Sequence, residues 1–425
     1  MFADFLLGGA LDRAAMIEEL ENKGAVAKRS DIVYKHMKDP ALLRYYYKIK
    51  TMPLVDKLEL AGSSPTELFV GRHNYPYVNI GPMIPPEFGD TSILATPERW
   101  RNMTIDNIVD MRSKLVRGMY TTKATNVEHG RMEELMRDLA LADRPAEAEV
   151  AFSKKPFVKI AMRDEVQPFG PSAMVKNLEL YNVRADTIVE KRYTDTDATA
   201  KTSMIELYEK GIQVSKIQKG LSAGLFGLGK NRRFVPTRWS ITAVDDTLSK
   251  SNLEEVKSYS PVDAIHAYYH VALDNRWLVF LIPGSWQYES IEAFYPGTVW
   301  NEVGKDISIF GSSEGYNGRK TYAEMGGCYY SGRLAITERL QLMQKQAMAL
   351  ILREVHKGYI MPVGVWNVRE HVRATLETEP VILHGLNEMF DYTRSKMEIG
   401  IKTWVQNSAL LRDLLSQRRI LEYVR

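Results

Sequence analysis

"AIHAYYHVALDNRWLVFLIPGSWQYESIEAFYPG", Ala264 to Gly297, is the stretch that decides the fold. It is dense in aromatic and β-branched residues and is broken at "DNR" and "PGS". Such residues fit a pleated surface, and such breaks mark turns, so the segment predicts a meander of antiparallel strands. His266 and His270 lie on one strand face there with no acid placed to complete a zinc set, which favours a structural role. Downstream, "GKDISIFGSSEGYNGRK" is rich in Gly, Ser and Asn and reads as an exposed loop or linker. Beyond it, "RLAITERLQLMQKQAMALILREVHK" and "GLNEMFDYTRSKMEIGIKTWVQNSALLRDLLSQ" repeat apolar residues at three- and four-residue spacing, which predicts helices.

Upstream of the meander the pattern is mixed. The first fifty residues read as mostly helical, and residues 53 to 97 form a block rich in proline and glycine. "TPERWRNMTIDNIVDMRSKLVRG" predicts a helix with Thr96 as N-cap, Pro97 in the first turn and Gly118 as the stop. "NVEHGRMEELMRDLALAD" predicts a second helix, and "EAEVAFSKKPFVKIAM" switches to period two, as strands do. The expected class is α+β: a mixed N-terminal region with antiparallel strands, then a mainly helical C-terminal region. The corresponding spans are 1–300, 315–410 and a tail, 411–425.

Composition narrows the function classes. The 425 residues are 45% hydrophobic and 26% charged, as in a packed globular chain. No apolar run reaches the roughly 18 residues that span a bilayer, and the N-terminus lacks a signal-peptide pattern, so a cytoplasmic protein is expected. One cysteine, Cys328, excludes a cysteine-cluster zinc site. A net charge of +3 does not announce a nucleic-acid binder. Its distribution is more telling: from Gly211 to Val244 there is no acid, whereas Lys216, Lys219, Lys230, Arg232, Arg233 and Arg238 all fall in that window. These are the candidate DNA-binding residues.

Within the window, "GLFGLGKN" (Gly224 to Asn231) resembles a phosphate-binding loop but carries Asn where Ser or Thr must hold magnesium. It reads as a flexible basic loop in which Phe226 and Phe234 are placed to stack on bases. The densest polar cluster is "SSPTELFVGRHNYPYVNIGPMIP", where Arg72, His73, Asn74 and Tyr75 crowd one turn. Two further stretches, "RRFVPTRWSITAVDD" and "EMGGCYYSGRLAITERL", combine arginines and aromatics with glycine or proline. No serine-hydrolase elbow, kinase set or paired-carboxylate signature is present.

Those three stretches, followed by "GYIMPVGVWNVRE", resemble the archaeal Nre family of DNA repair proteins in content and order, from about Pro53 to Arg373. The resemblance implies a role in repairing DNA damage, conserved N- and C-terminal regions, and a C-terminal motif that docks on the replication sliding clamp. Some members carry an N-terminal four-cysteine zinc finger; this chain resembles the fingerless form, and no metal is expected. The tail "QRRILEYV" follows the clamp-binding pattern Gln-x-x-aliphatic-x-x-aromatic-aromatic. Gln417 is expected to enter a polar pocket, while Ile420, Tyr423 and Val424 form an apolar plug on a single 3₁₀ turn. Val424 in place of a second aromatic predicts weaker binding. The reading is therefore a DNA repair factor that binds DNA and is recruited to the clamp. The alternative is a DNA-processing enzyme using a nucleotide or dinucleotide cofactor, with Arg72, His73, Tyr75, Glu324 and Glu338 as candidate catalytic residues.

Overall fold

The computed structural model describes residues 50–157, 166–298, 300–301, 304–359 and 361–416. The helical reading of the first 49 residues and all four clamp-motif residues, Gln417, Ile420, Tyr423 and Val424, lie outside them. Two six-stranded sheets form the α+β body. The first runs in the order β1-β5-β6-β4-β3-β2, made of β1 (Glu59–Ser64), β2 (Leu68–Val70), β3 (Tyr77–Ile84), β4 (Val116–Lys123), β5 (Ala146–Phe152) and β6 (Ser172–Tyr181). All its pairs are antiparallel except β4 with β6.

The Pro97 segment folds differently from its sequence expectation. Pro97–Arg99 is a 3₁₀ turn, and the helix α1 (Ile105–Ser113) starts later, capped by Thr104, whose side chain accepts from the Asn107 amide. Gly118 does not stop a helix; it lies inside β4. A Cβ there would come within 2.8 Å of Val175 and 3.0 Å of Pro82, so glycine is dictated by close strand packing. The helix in "RMEELMRDLAL" is present as α2 (Arg131–Leu141). After β6 come α3 (Thr187–Thr194), α4 (Ala200–Glu209), α5 (Val214–Ser222) and the long α6 (Thr237–Val256).

The second sheet runs β10-β9-β11-β8-β7-β12. The decisive stretch does supply three strands, β7 (Ile265–Ala272), β8 (Asn275–Ile282) and β9 (Gln287–Phe294). They are not a simple meander, because β11 (Met348–Val355) inserts between β8 and β9, antiparallel to the first and parallel to the second. "MALILREV" reads as helix in sequence because a central strand buried on both faces shows no alternation. The glycine- and serine-rich segment expected as a linker is instead the edge strand β10 (Ser308–Glu314), antiparallel to β9. One sheet therefore draws strands from both sides of residues 300–315.

The remaining elements are α7 (Gly327–Met343), α8 (Trp366–Glu377), β12 (Val381–Leu383), α9 (Leu386–Lys396), α10 (Ile401–Asn407) and α11 (Ala409–Ser416). Helix α6 bridges the sheets: Val244 and Leu248 belong to the core of the first, Leu253 and Val256 to that of the second. Helix α7 lies against β9 through Gly332, where a Cβ would approach the Tyr288 hydroxyl to 2.6 Å. Among the described residues no helix is long and apolar enough to cross a membrane.

Charged pairs join α6, α7 and α8. Arg369 donates to both oxygens of Asp245 at 3.1 and 3.3 Å, and Ser331 and Gln218 donate to the same carboxylate at 2.6 and 2.9 Å. Arg333 donates to Glu314 at 2.7 Å and pairs with Asp246. Such charges lose hydration on burial, and their stability rests on complete pairing.

Candidate functional site

The site is built where the two sheets meet. Between β2 and β3 the chain turns through Arg72, His73, Asn74 and Tyr75, all exposed. Asn74 adopts φ 68°, a conformation Asn tolerates better than most residues, and its carbonyl accepts from the Tyr77 amide at 2.9 Å. The turn is tied to the start of α6 by a hydrogen bond from the Val70 amide to Thr237 Oγ1 at 2.9 Å. That bond brings Arg72 to the Arg238–Trp239 step, and Tyr75 packs on Trp239 with ring centroids 5.2 Å apart.

The opposite wall comes from the second region. Tyr322 lies 5.4 Å from the ring of Tyr330, and the Ala323 amide donates to the Tyr330 hydroxyl at 3.0 Å. Together Arg72, Arg238, Trp239, Asp246, Tyr322 and Tyr330 line an open cleft of about 450 Å³. Three sequence stretches far apart in the chain thus meet in one place. Tyr75, Trp239 and Tyr322 are 42%, 44% and 57% exposed, unusually open for large aromatics. A second pocket, about 500 Å³, adjoins this cleft and shares Arg238 and Tyr322 with it.

The enzyme candidates do not form one constellation. Arg72 lines the cleft, Tyr75 braces Trp239, and His73 is exposed on the turn without lining the cleft. Glu324 lines the adjoining pocket, where Ser312 and Arg319 each donate to it at 2.8 Å. Its own backbone amide, then Ser312, hold its carboxyl below the usual range, which makes it a weak base. Glu338 lies elsewhere, clamped by Arg373 at 2.6 and 2.7 Å and by the Tyr208 hydroxyl.

The basic window is not a single face. Lys216 and Lys219 reach inward from α5 to carbonyls at the ends of helical segments, Lys216 to Ala142 after α2 and Lys219 to Ala95 at 2.9 Å. These carbonyls are the negative ends of helical turns, which favour a cation. Burial pushes the Lys216 ammonium down to about 7 and lowers that of Lys219. Arg232 is buried, donating to the carbonyls of Gly227 and Asp195 at 2.9 Å each, with its guanidinium 5.0 Å from the Tyr193 ring. Phe226 and Phe234 belong to the first core, so neither is placed to stack on a base. Lys230 and Arg233 are exposed, and Arg238 is half-buried at the cleft.

His266 and His270 project from β7, and His270 stacks on the buried His371 with ring centroids 6.0 Å apart. Among the described residues no group of three or more His, Cys, Asp or Glu is arranged to hold a metal. Sequence reading missed Arg353 and Asn367, which line the adjoining pocket. Asn367 follows Gly364 in "MPVGVWN", whose glycine is set by close approach to the backbone of Val166 and Gln167, and nothing in the local sequence marks Arg353.

Two family models cover most of the chain: "Archaeal Nre, N-terminal" matches residues 36–301 and "Archaeal Nre, C-terminal" matches residues 314–423. DNA repair protein NreB from Archaeoglobus fulgidus is 40% identical over 355 residues, 83% of this chain and 89% of that protein. DNA repair protein NreA from Haloferax volcanii is 39% identical over 330 residues, 75% of this chain and 78% of its own length. DNA repair protein NreA from Archaeoglobus fulgidus is 29% identical over 365 residues, 85% and 90% of the two chains. No solved structure matches. With these matches, and with the motif stretches converging on one cleft, the chain belongs to the archaeal Nre family.

Proposed function

We propose that this protein is a DNA repair factor that holds a DNA strand in the cleft between the sheets and is brought to the replication sliding clamp by its C-terminal tail. The observation that carries the DNA reading is the convergence of Arg72, Arg238, Trp239 and Tyr322 on one open cleft. Guanidinium groups suit phosphates, and exposed aromatic faces suit unstacked bases irrespective of sequence. The relatives' names, which call them DNA repair proteins, support the same direction. Clamp recruitment rests on the pattern Gln417, Ile420, Tyr423 and Val424.

The DNA reading is tested by fluorescence anisotropy with labelled single-stranded and duplex oligonucleotides. Trp239→Ala is expected to weaken single-strand binding by about 1–3 kcal/mol, the worth of one stacked base. Replacing Arg72 and Arg238 together with alanine is expected to flatten the log-log salt dependence by about 0.7 per lost single-strand phosphate contact. Unchanged affinity and slope in both variants would remove the cleft from the DNA path. Recruitment is tested by calorimetry of the sliding clamp against the full chain and a version ending at Ser416; binding that survives truncation excludes the tail.

A further inference from the structure

The pocket adjoining the DNA cleft has features that strand binding in the cleft does not use. Two helices begin at its wall: α7, 17 residues long, after Gly326, and α8, 12 residues long, next to Gly364. Helix N-termini carry partial positive charge and amides without intrahelical partners. Asn367, in the first turn of α8 and 1% exposed, has no hydrogen-bond partner among the described residues for either its Nδ2 or its Oδ1. Arg353, 3% exposed on β11, donates through Nε to Asn275 at 3.0 Å and through Nη1 to Glu292 at 2.7 Å, while its Nη2 has no partner among the described residues. Buried polar groups in folded proteins are overwhelmingly paired, so these orphaned atoms beside one cavity mark a place where a ligand supplies the missing partners.

The rest of the lining specifies the ligand. Phe294, Phe310 and Tyr322 give the pocket aromatic surface, with Phe310 and Tyr322 half or more exposed. Its two carboxylates are already paired, Glu292 with Arg353 and Glu324 with Arg319. The N-termini of α7 and α8 give the pocket its positive side, and Arg238 also lines it. A cavity of about 500 Å³ is of ordinary size for a small-molecule site.

We propose that this pocket binds a nucleotide, its phosphate at the converging N-termini of α7 and α8 beside Arg353 and Arg238, its base among Phe294, Phe310 and Tyr322, with Asn367 hydrogen-bonding to it. The shared chemistry is a base bearing phosphate, and it has two sources: a free nucleotide or the terminal nucleotide of a strand. The inference does not rest on DNA lying in the cleft.

The test is thermal unfolding of the full chain with ADP, with adenosine, with inorganic phosphate, and with a short 5′-phosphorylated single strand. A ligand that binds only the folded state raises the midpoint, here by about 2 °C or more at saturating concentration. A shift with ADP supports the free-nucleotide source, and a shift with the strand that is lost when the same strand lacks its 5′-phosphate supports the terminal-nucleotide source. No shift with either overturns the proposal. Phe310→Ala, a change at an exposed side chain, is expected to lower affinity for the active ligand about tenfold or more. Asn367→Ala provides a readout that a purely structural residue does not give: the ligand-free midpoint stays level or rises, because an unpaired amide is removed, while the ligand shift is lost. A lower midpoint with the ligand shift retained overturns the assignment. Loss of strand affinity in Trp239→Ala, a residue that lines the cleft and not this pocket, with the Phe310-dependent ADP shift intact separates this site from the DNA cleft.

Discussion

The seam formed by α6, α7 and α8 and the cleft at its edge are built from the same residue types, and they differ in how those residues are satisfied. In the seam, Asp245 receives Arg369, Ser331 and Gln218, and Arg333 bridges Glu314 and Asp246. In the cleft, Arg72, Trp239 and Tyr322 face solvent across an open gap. Charges whose partners are internal hold helices together; charges and aromatic rings turned to an open surface are free to meet a ligand. The buried network gives the Arg72 turn and the Tyr322 segment a fixed separation, because both are attached to helices that the seam locks.

The largest way to test that contrast is to break the seam. Asp245→Ala removes the carboxylate that Arg369, Ser331 and Gln218 share and leaves the buried guanidinium only Glu370 at 3.1 Å and Glu98 at 3.8 Å, and the expected loss is about 3–5 kcal/mol in denaturant unfolding. Adding Arg369→Met to that variant removes the under-paired charge and is expected to restore part of the stability. A loss below about 1 kcal/mol for the single change would show that the pair is dispensable and the contrast wrong.

His371 sharpens the comparison, because it is a seam residue without the seam's pairing. It is fully buried on α8, neither ring nitrogen has a partner among the described residues, and burial, followed by nearby His270, pushes its pKa down to about 3. The unfolded chain therefore binds a proton near pH 6.5 that the folded chain refuses until about pH 3. Stability is full above the unfolded value and is lost as pH falls through that window, with a slope of at most about 1.4 kcal/mol per pH unit. His371→Leu is expected to remove that slope between pH 6 and 4. Identical acid profiles for the two proteins would show that the ring has a partner.

Some of this was legible in the residues and some was not, for physical reasons. The three strands between Ile265 and Phe294 were readable because β-branched and aromatic runs end at clear turns. The insertion of β11 was hidden because pairing between distant segments leaves no mark on local periodicity. β10 was hidden because an edge strand tolerates the small polar residues that also make loops. Arg72, Arg238 and the Tyr330 stretch stood out individually. Their meeting did not, since it depends on the bond from Val70 to Thr237 and on α6 packing against α7. The basic window resists a reading from sequence because a one-dimensional run of positive charge does not say which ammonium groups cap a helix and which face water.

That last point yields the smallest effect and the finest test. Lys216 and Lys219 look like DNA contacts in sequence, yet both reach backbone carbonyls inside the fold. Lys216→Met is expected to leave DNA affinity unchanged within about twofold, whereas Arg72→Ala and Trp239→Ala weaken it. Its stability signature runs in a definite direction. The folded ammonium titrates near 7 and the unfolded one near 10.5, so between those values the unfolded chain holds more protons and wild-type stability rises with pH. The wild type is therefore expected to gain on Lys216→Met as pH rises from 7 to 9, in matched urea titrations. A DNA-binding loss comparable to that of Arg72→Ala, with no such pH trend, would place Lys216 on the surface and return the basic window to the DNA path.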